Sequence, residues 1–105
     1  MTDKLLILTT AGSDSEARKI ATTLVERRLA ACVNIVPRVA SVYRWQGKVE
    51  ATEEFLLIIK TVKAQQEQVQ SAIRELHSYE LPECIVIAVE GGSTEYLEWI
   101  TDVVR

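Results

Sequence analysis

Apolar and polar positions along this chain alternate between two kinds of repeat. Residues 4–10 are a short apolar run with polar ends, the pattern of a buried strand. Ser13-Asp14-Ser15-Glu16 follows as a capping box, in which Ser13 accepts from the Glu16 amide while the Glu16 carboxylate reaches back. Ala17, Ile20, Ala21, Leu24 and Val25 then recur at helical spacing and predict a helix with one apolar face to about Ala30. From Cys32 the period changes. Val39, Ser41, Tyr43 and Trp45 alternate with Ala40, Val42 and Arg44, and Gln46-Gly47 is a two-residue hairpin turn, glycine tolerating positive φ. The return strand starts polar at residues 48–54 and ends in Phe55-Leu56-Leu57-Ile58-Ile59, apolar on both faces as in a central strand covered on both sides. Its polar half, residues 50–54, is expected to project. Residues 63–77 predict a second helix with Val69, Ala72, Ile73 and Leu76 as its buried stripe, stopped before Leu81-Pro82. Residues 83–90 hold a further buried strand. Gly91-Gly92 turns the chain, and Ser93 or Thr94 caps a last short helix carrying Tyr96, Leu97 and Ile100.

This order of elements predicts an α+β fold, a ferredoxin-like split βαβ sandwich with a long hairpin between the second and third strands and an extra C-terminal helix. Right-handed crossovers put the first and third strands in the centre, with the second and fourth on opposite, open edges. The hairpin is long for the domain. A continuous strand from Cys32 to Trp45 spans roughly 45 Å at about 3.3 Å per residue, whereas a compact chain of this length is roughly 35 Å across. Either the strand bends, for which Pro37 is the natural place, or other copies of the chain cover it. The sharper expectation is an obligate small oligomer.

With 105 residues, 48% of them hydrophobic and 26% charged, the chain is expected to form one domain, residues 1–105, with a core needing neither disulfide nor structural metal. A net charge of −3 with dispersed basic residues favours neither nucleic acid nor an anionic membrane. No apolar run reaches membrane-spanning length, and a cytoplasmic location is the default expectation. The cysteines, Cys32 and Cys84, sit in separate strand-like runs and read as buried free thiols.

The chain has no phosphate loop, no Gly-x-Ser-x-Gly elbow and a single histidine, so no nucleophile–base pair is visible and an enzyme is not expected. His77, at a predicted helix C-terminus, is either a helix-end residue bonding the last carbonyls or a ligand for a metal. Tyr43, Trp45, Tyr79, Tyr96 and Trp99 lie toward element ends, where they suit subunit packing or a small-molecule cleft. Glu50, Glu53 and Glu54 read as a solvated strand face, with a hard-cation cluster as the alternative. Lys60, ending an apolar run, needs a partner or an open rim, and Glu83 is one possible partner.

Leu29-Ala30-Ala31-Cys32-Val33-Asn34-Ile35 with Pro37, Ser41-x-Tyr43-x-Trp45-x-Gly47-Lys48, Glu54, Lys60-Thr61, His77-x-Tyr79-Glu80-x-Pro82-Glu83 and Tyr96-Leu97-x-Trp99-Ile100 are spread over nearly the whole chain. Jointly they resemble the CutA family of divalent-cation tolerance proteins. The resemblance implies a ferredoxin-like fold, a cytoplasmic homotrimer, and a role in the response to metal ions with weak binding of copper or another divalent cation, His77 being the candidate ligand. One branch of the family uses a first-strand Cys and two adjacent His; here Thr9 or Thr10 stands for the Cys and Leu76 for the first His. The architecture is also similar to the PII signalling proteins. That likeness implies an alternative, a small-molecule cleft between subunits with Cys32, Asn34, Tyr43, Trp45, Lys60, Tyr79 and Glu83 as its candidate residues. A structural trimer presenting surfaces to other proteins is the third reading.

Overall fold

A computed structural model describes residues 2–104. Four strands and three helices follow one another as β1 (Lys4–Ala11), α1 (Asp14–Glu26), β2 (Cys32–Trp45), β3 (Lys48–Val62), α2 (Gln66–Leu76, entered through a 3-10 turn at Lys63–Gln65), β4 (Ile85–Ala88) and α3 (Thr94–Val103). The sheet order is β2-β3-β1-β4, all pairs antiparallel, so the first and third strands are central as the topology rules require.

The core lies between the sheet and the α1/α2 layer. Ile7, Leu57 and Ile59 from the strands meet Ile20, Leu24, Val69 and Ile73 from the helices, all fully buried. The opposite sheet face is different. Leu6, Leu8, Leu56 and Ile58 are only half-buried there, and Ile85 and Ile87 are exposed. α3 covers one end of this face, where Ile100 and Val104 pack on Ala31 and Val62. The expectation that β3 is covered on both faces therefore holds for the helix side and only in part for the other.

Three boundaries differ from the sequence pattern. α1 stops at Glu26 rather than Ala30, because Arg28 turns left-handed (φ 59°) and the amides of Leu29 and Ala30 both return to the Leu24 carbonyl. The fourth strand is only four residues long and is not buried: as an edge strand it pairs with β1 alone and leaves Ile85 and Ile87 bare. The capping box closes halfway. Ser13 Oγ accepts from the Glu16 amide at 3.2 Å, but the Glu16 carboxylate turns away to Ser78, 62 positions along the chain.

The hairpin extends the molecule to 44 × 25 × 22 Å. At its tip Gln46 and Gly47 both have positive φ, 50° and 81°, the conformation that matches strand twist in a two-residue turn. Partway along β2 the register slips between Val36 and Val39, with Arg38 at φ 59°. Pro37 and Arg38 together oppose the single residue Phe55, a β-bulge.

Candidate functional site

The bulge decides what the hairpin can do. Before it, Val33 and Ile35 pair with Ile59 and Leu57, which face the helices. After it, Val39, Tyr43 and Trp45 pair with Glu54, Glu50 and Lys48. Since side chains alternate along β3, these partners lie on the helix-free face. One extra residue thus moves the odd-numbered side chains of β2 across the sheet and brings Tyr43 and Trp45 to the same side as Glu54, Thr10 and Ile85.

On that side lies a cleft of about 700 Å³, lined by Tyr43, Trp45, Glu54, Tyr79 and Glu83 among others. Its floor is built by close approach. Gly12 allows the Tyr79 phenol in: a Cβ at that position would stand 3.1 Å from its oxygen. The phenol donates to Glu54 Oε2 at 2.7 Å. Glu54 is 8% exposed, so it is not part of a solvated acidic strand face; Glu50 and Glu53 remain exposed. Burial, the bond to Glu54 and the negative charge of Glu54 hold the Tyr79 phenol well above the usual tyrosine range, which makes it a donor and not a base. Burial, and after it the charge of Glu54, push the Glu83 carboxyl up.

His77 supports the cleft from behind. Its side chain is fully buried at the C-cap of α2. Nδ1 accepts from the Tyr79 amide at 3.1 Å and Nε2 lies 2.5 Å from the Thr10 carbonyl, so the network assigns the ring proton to Nε2. Its partners are therefore the Thr10 carbonyl of β1 and the next loop, not the last carbonyls of its own helix. The Glu16 carboxylate accepts from Ser78 N–H at 2.8 Å and approaches Nδ1 at 3.2 Å. Burial raises the Glu16 carboxyl, but the Ser78 bonds and the nearby charge of Lys19 act against it, and the group is held below its ordinary value.

The candidates from the sequence divide into two groups. Tyr43, Trp45, Tyr79 and Glu83 meet at the cleft. Cys32, Asn34 and Lys60 lie at the other end of β2 and β3, where Cys32 pairs with Lys60 and its thiol lies 4.0 Å from Asn34 Oδ1. Lys60 is six residues from Glu54 along one strand, about 20 Å. Its ammonium approaches the Tyr96 hydroxyl at 3.4 Å and stands 5.5 Å from that ring's centre, so Tyr96 and not Glu83 is its partner. Glu54, singled out in the sequence as part of an acidic stretch, and Thr10, standing for a ligand Cys, both line the cleft, and Gly12 lets Tyr79 approach them; the β3 register and that close approach reveal the arrangement. Among the described residues no three His, Cys, Asp or Glu side chains are grouped to hold one ion. Both cysteines are free, but both are only half-buried and not the buried thiols expected from their apolar runs.

Known proteins share this architecture. The family model described as CutA1 divalent ion tolerance protein matches residues 5–103. A divalent-cation tolerance protein CutA from Thermus thermophilus is 43% identical over 97 residues, covering 92% of this chain and 94% of that protein. A chloroplastic CutA protein from Arabidopsis thaliana is 41% identical over 96% of this chain, which spans 56% of that relative's length. The crystal structure of CutA from Xylella fastidiosa superposes with a TM-score of 0.97 at 41% identity, over 99% of this chain and 100% of that one.

Proposed function

The chain belongs to the CutA1 divalent-ion tolerance family, and from that premise we propose that it is a homotrimeric, non-enzymatic binding protein of divalent-cation tolerance. The cleft between the distal half of the hairpin and the loop after α2 is its ligand site. One observation carries this reading: the cleft and the apolar sheet face left bare by the chain's own helices lie on the same side of the sheet. Contiguous bare aliphatics of this kind are normally covered by another chain. An assembly that covers Ile85 and Ile87 therefore also walls the cleft. The number three rests on the family resemblance. Two free thiols suit a reducing compartment, and the cytoplasm is the proposed location.

Copper does not fit the residues of a single chain. It favours imidazole and thiolate, and the one imidazole has both nitrogens committed to backbone groups. Weak binding of a harder divalent cation is the second reading. The half-buried Glu83, raised by the charge of nearby Glu54, favours it, since a cation there relieves their mutual repulsion.

Native mass spectrometry of the purified protein, before and after equilibration with copper and desalting, tests the proposal. A trimer without retained copper is expected. Monomers at micromolar concentration would overturn the assembly. Stoichiometric copper that is lost in His77→Ala would overturn the place given to His77 and restore the histidine as a metal ligand.

A further inference from the structure

The chemistry of the cleft specifies a ligand class. Its charged lining is three carboxylates, Glu54, Glu80 and Glu83, against one guanidinium, Arg44. Arg44 donates to the Gly47 carbonyl at 3.5 Å, out at the turn. Glu54 lies more than nine-tenths buried, and its bond comes from a neutral phenol; among the described residues no cation pairs with it. A buried carboxylate in that state lacks the counter-charge that usually accompanies burial. The lining that this chain supplies therefore favours a cation over an anion.

The walls narrow the choice further. Tyr43 and Trp45, 41% and 38% exposed in the single chain, line the same cleft from the distal half of the hairpin. Aromatic faces attract cations that keep no tight shell of oxygen ligands, and they supply none of the oxygens a hard metal ion requires. The space, about 700 Å³, is that of a small organic molecule and far exceeds a bare ion. We propose that the cleft binds a small organic ammonium ion, with its alkyl groups against Tyr43 and Trp45 and its positive charge facing Glu54 and Glu83. This deepens the reading of the cleft as a ligand site and rests on it.

Ligand-observed NMR on the full-chain oligomer tests the proposal with two probes of one shape. Choline and 3,3-dimethylbutan-1-ol both report through equivalent methyl protons, and only choline is charged. Choline is expected to bind about tenfold or more tightly than the alcohol. Glu83→Gln is expected to weaken choline about tenfold and leave the alcohol unchanged. Trp45→Leu is expected to weaken both, while Glu83→Gln stays informative should Trp45→Leu disturb the hairpin. Equal affinity for the two probes, lost in Trp45→Leu, would overturn the ammonium assignment and keep the cleft as a binding site. Binding of neither probe by an intact trimer would also overturn it, without bearing on the assembly.

Discussion

The two faces of the sheet are built to different standards of completeness. On the helix side, Ile7, Leu57 and Ile59 are sealed by α1 and α2 within one chain. On the other, aliphatics of the same size at Leu56, Ile58, Ile85 and Ile87 are left partly exposed, by about half at Ile85 and Ile87. Composition does not separate the faces, since both are rich in Leu and Ile. What separates them is that the chain's own helices seal the first face, whereas on the second α3 covers one end and leaves the rest open. The first face should set the stability of the subunit and the second its association.

The largest expected effect tests the closed face. Leu57→Ala should remove about 2–5 kcal/mol of stability, measured by urea unfolding, because the fully packed site cannot collapse around the lost methyls. Next comes His77→Ala, which leaves the Thr10 carbonyl and the Tyr79 amide without their partner and should cost about 2–4 kcal/mol. An unchanged midpoint would show that the imidazole is free for other duties. Ile87→Lys tests the open face. Sedimentation should show association weakened by about tenfold or more, with far-UV circular dichroism of the subunit preserved. If the subunit instead unfolds, the two faces are not separable. The smallest effect has the opposite sign. Thr9 is fully buried on the helix side and its hydroxyl finds no hydrogen-bond partner, so Thr9→Val should raise stability by about 1 kcal/mol in the same urea assay.

The closed face was legible from local spacing, and the cleft was only partly so. The apolar residues of α1 and α2 recur with the helical period, Ser13 and Ser93 cap where their spacing indicates, and Gln46-Gly47 turns as its residue types demand. Each of these is settled within a few positions along the chain. The cleft depends on separations of 25 and more. Glu54 looks like one more exposed acid until the register places it under Tyr79, 25 residues away. Glu16 looks like half of a capping box until Ser78 takes its carboxylate. Pro37 signals a break in β2, but its consequence, the exchange of faces by Tyr43 and Trp45, depends on whether one extra residue is accommodated or none. Periodicity on either side of the bulge reads the same in both cases. For the same reason Lys60 was grouped with Glu83, although the fold keeps it at the α3 end beside Tyr96.

The strand order also bears on how the chain is made. β1 is synthesised first, yet both its neighbours come late: β3 is complete only at Val62 and β4 at Ala88. At ~5–20 residues per second, the central apolar strand waits roughly 3–10 s on the ribosome for its first partner. Throughout that interval Leu5-Leu6-Ile7-Leu8 has both edges unpaired. The apolar face of α1 is made next and is the first surface available to shield it. The nascent chain should therefore depend on early docking of α1, or on a chaperone, well before the hairpin that dominates the finished molecule exists.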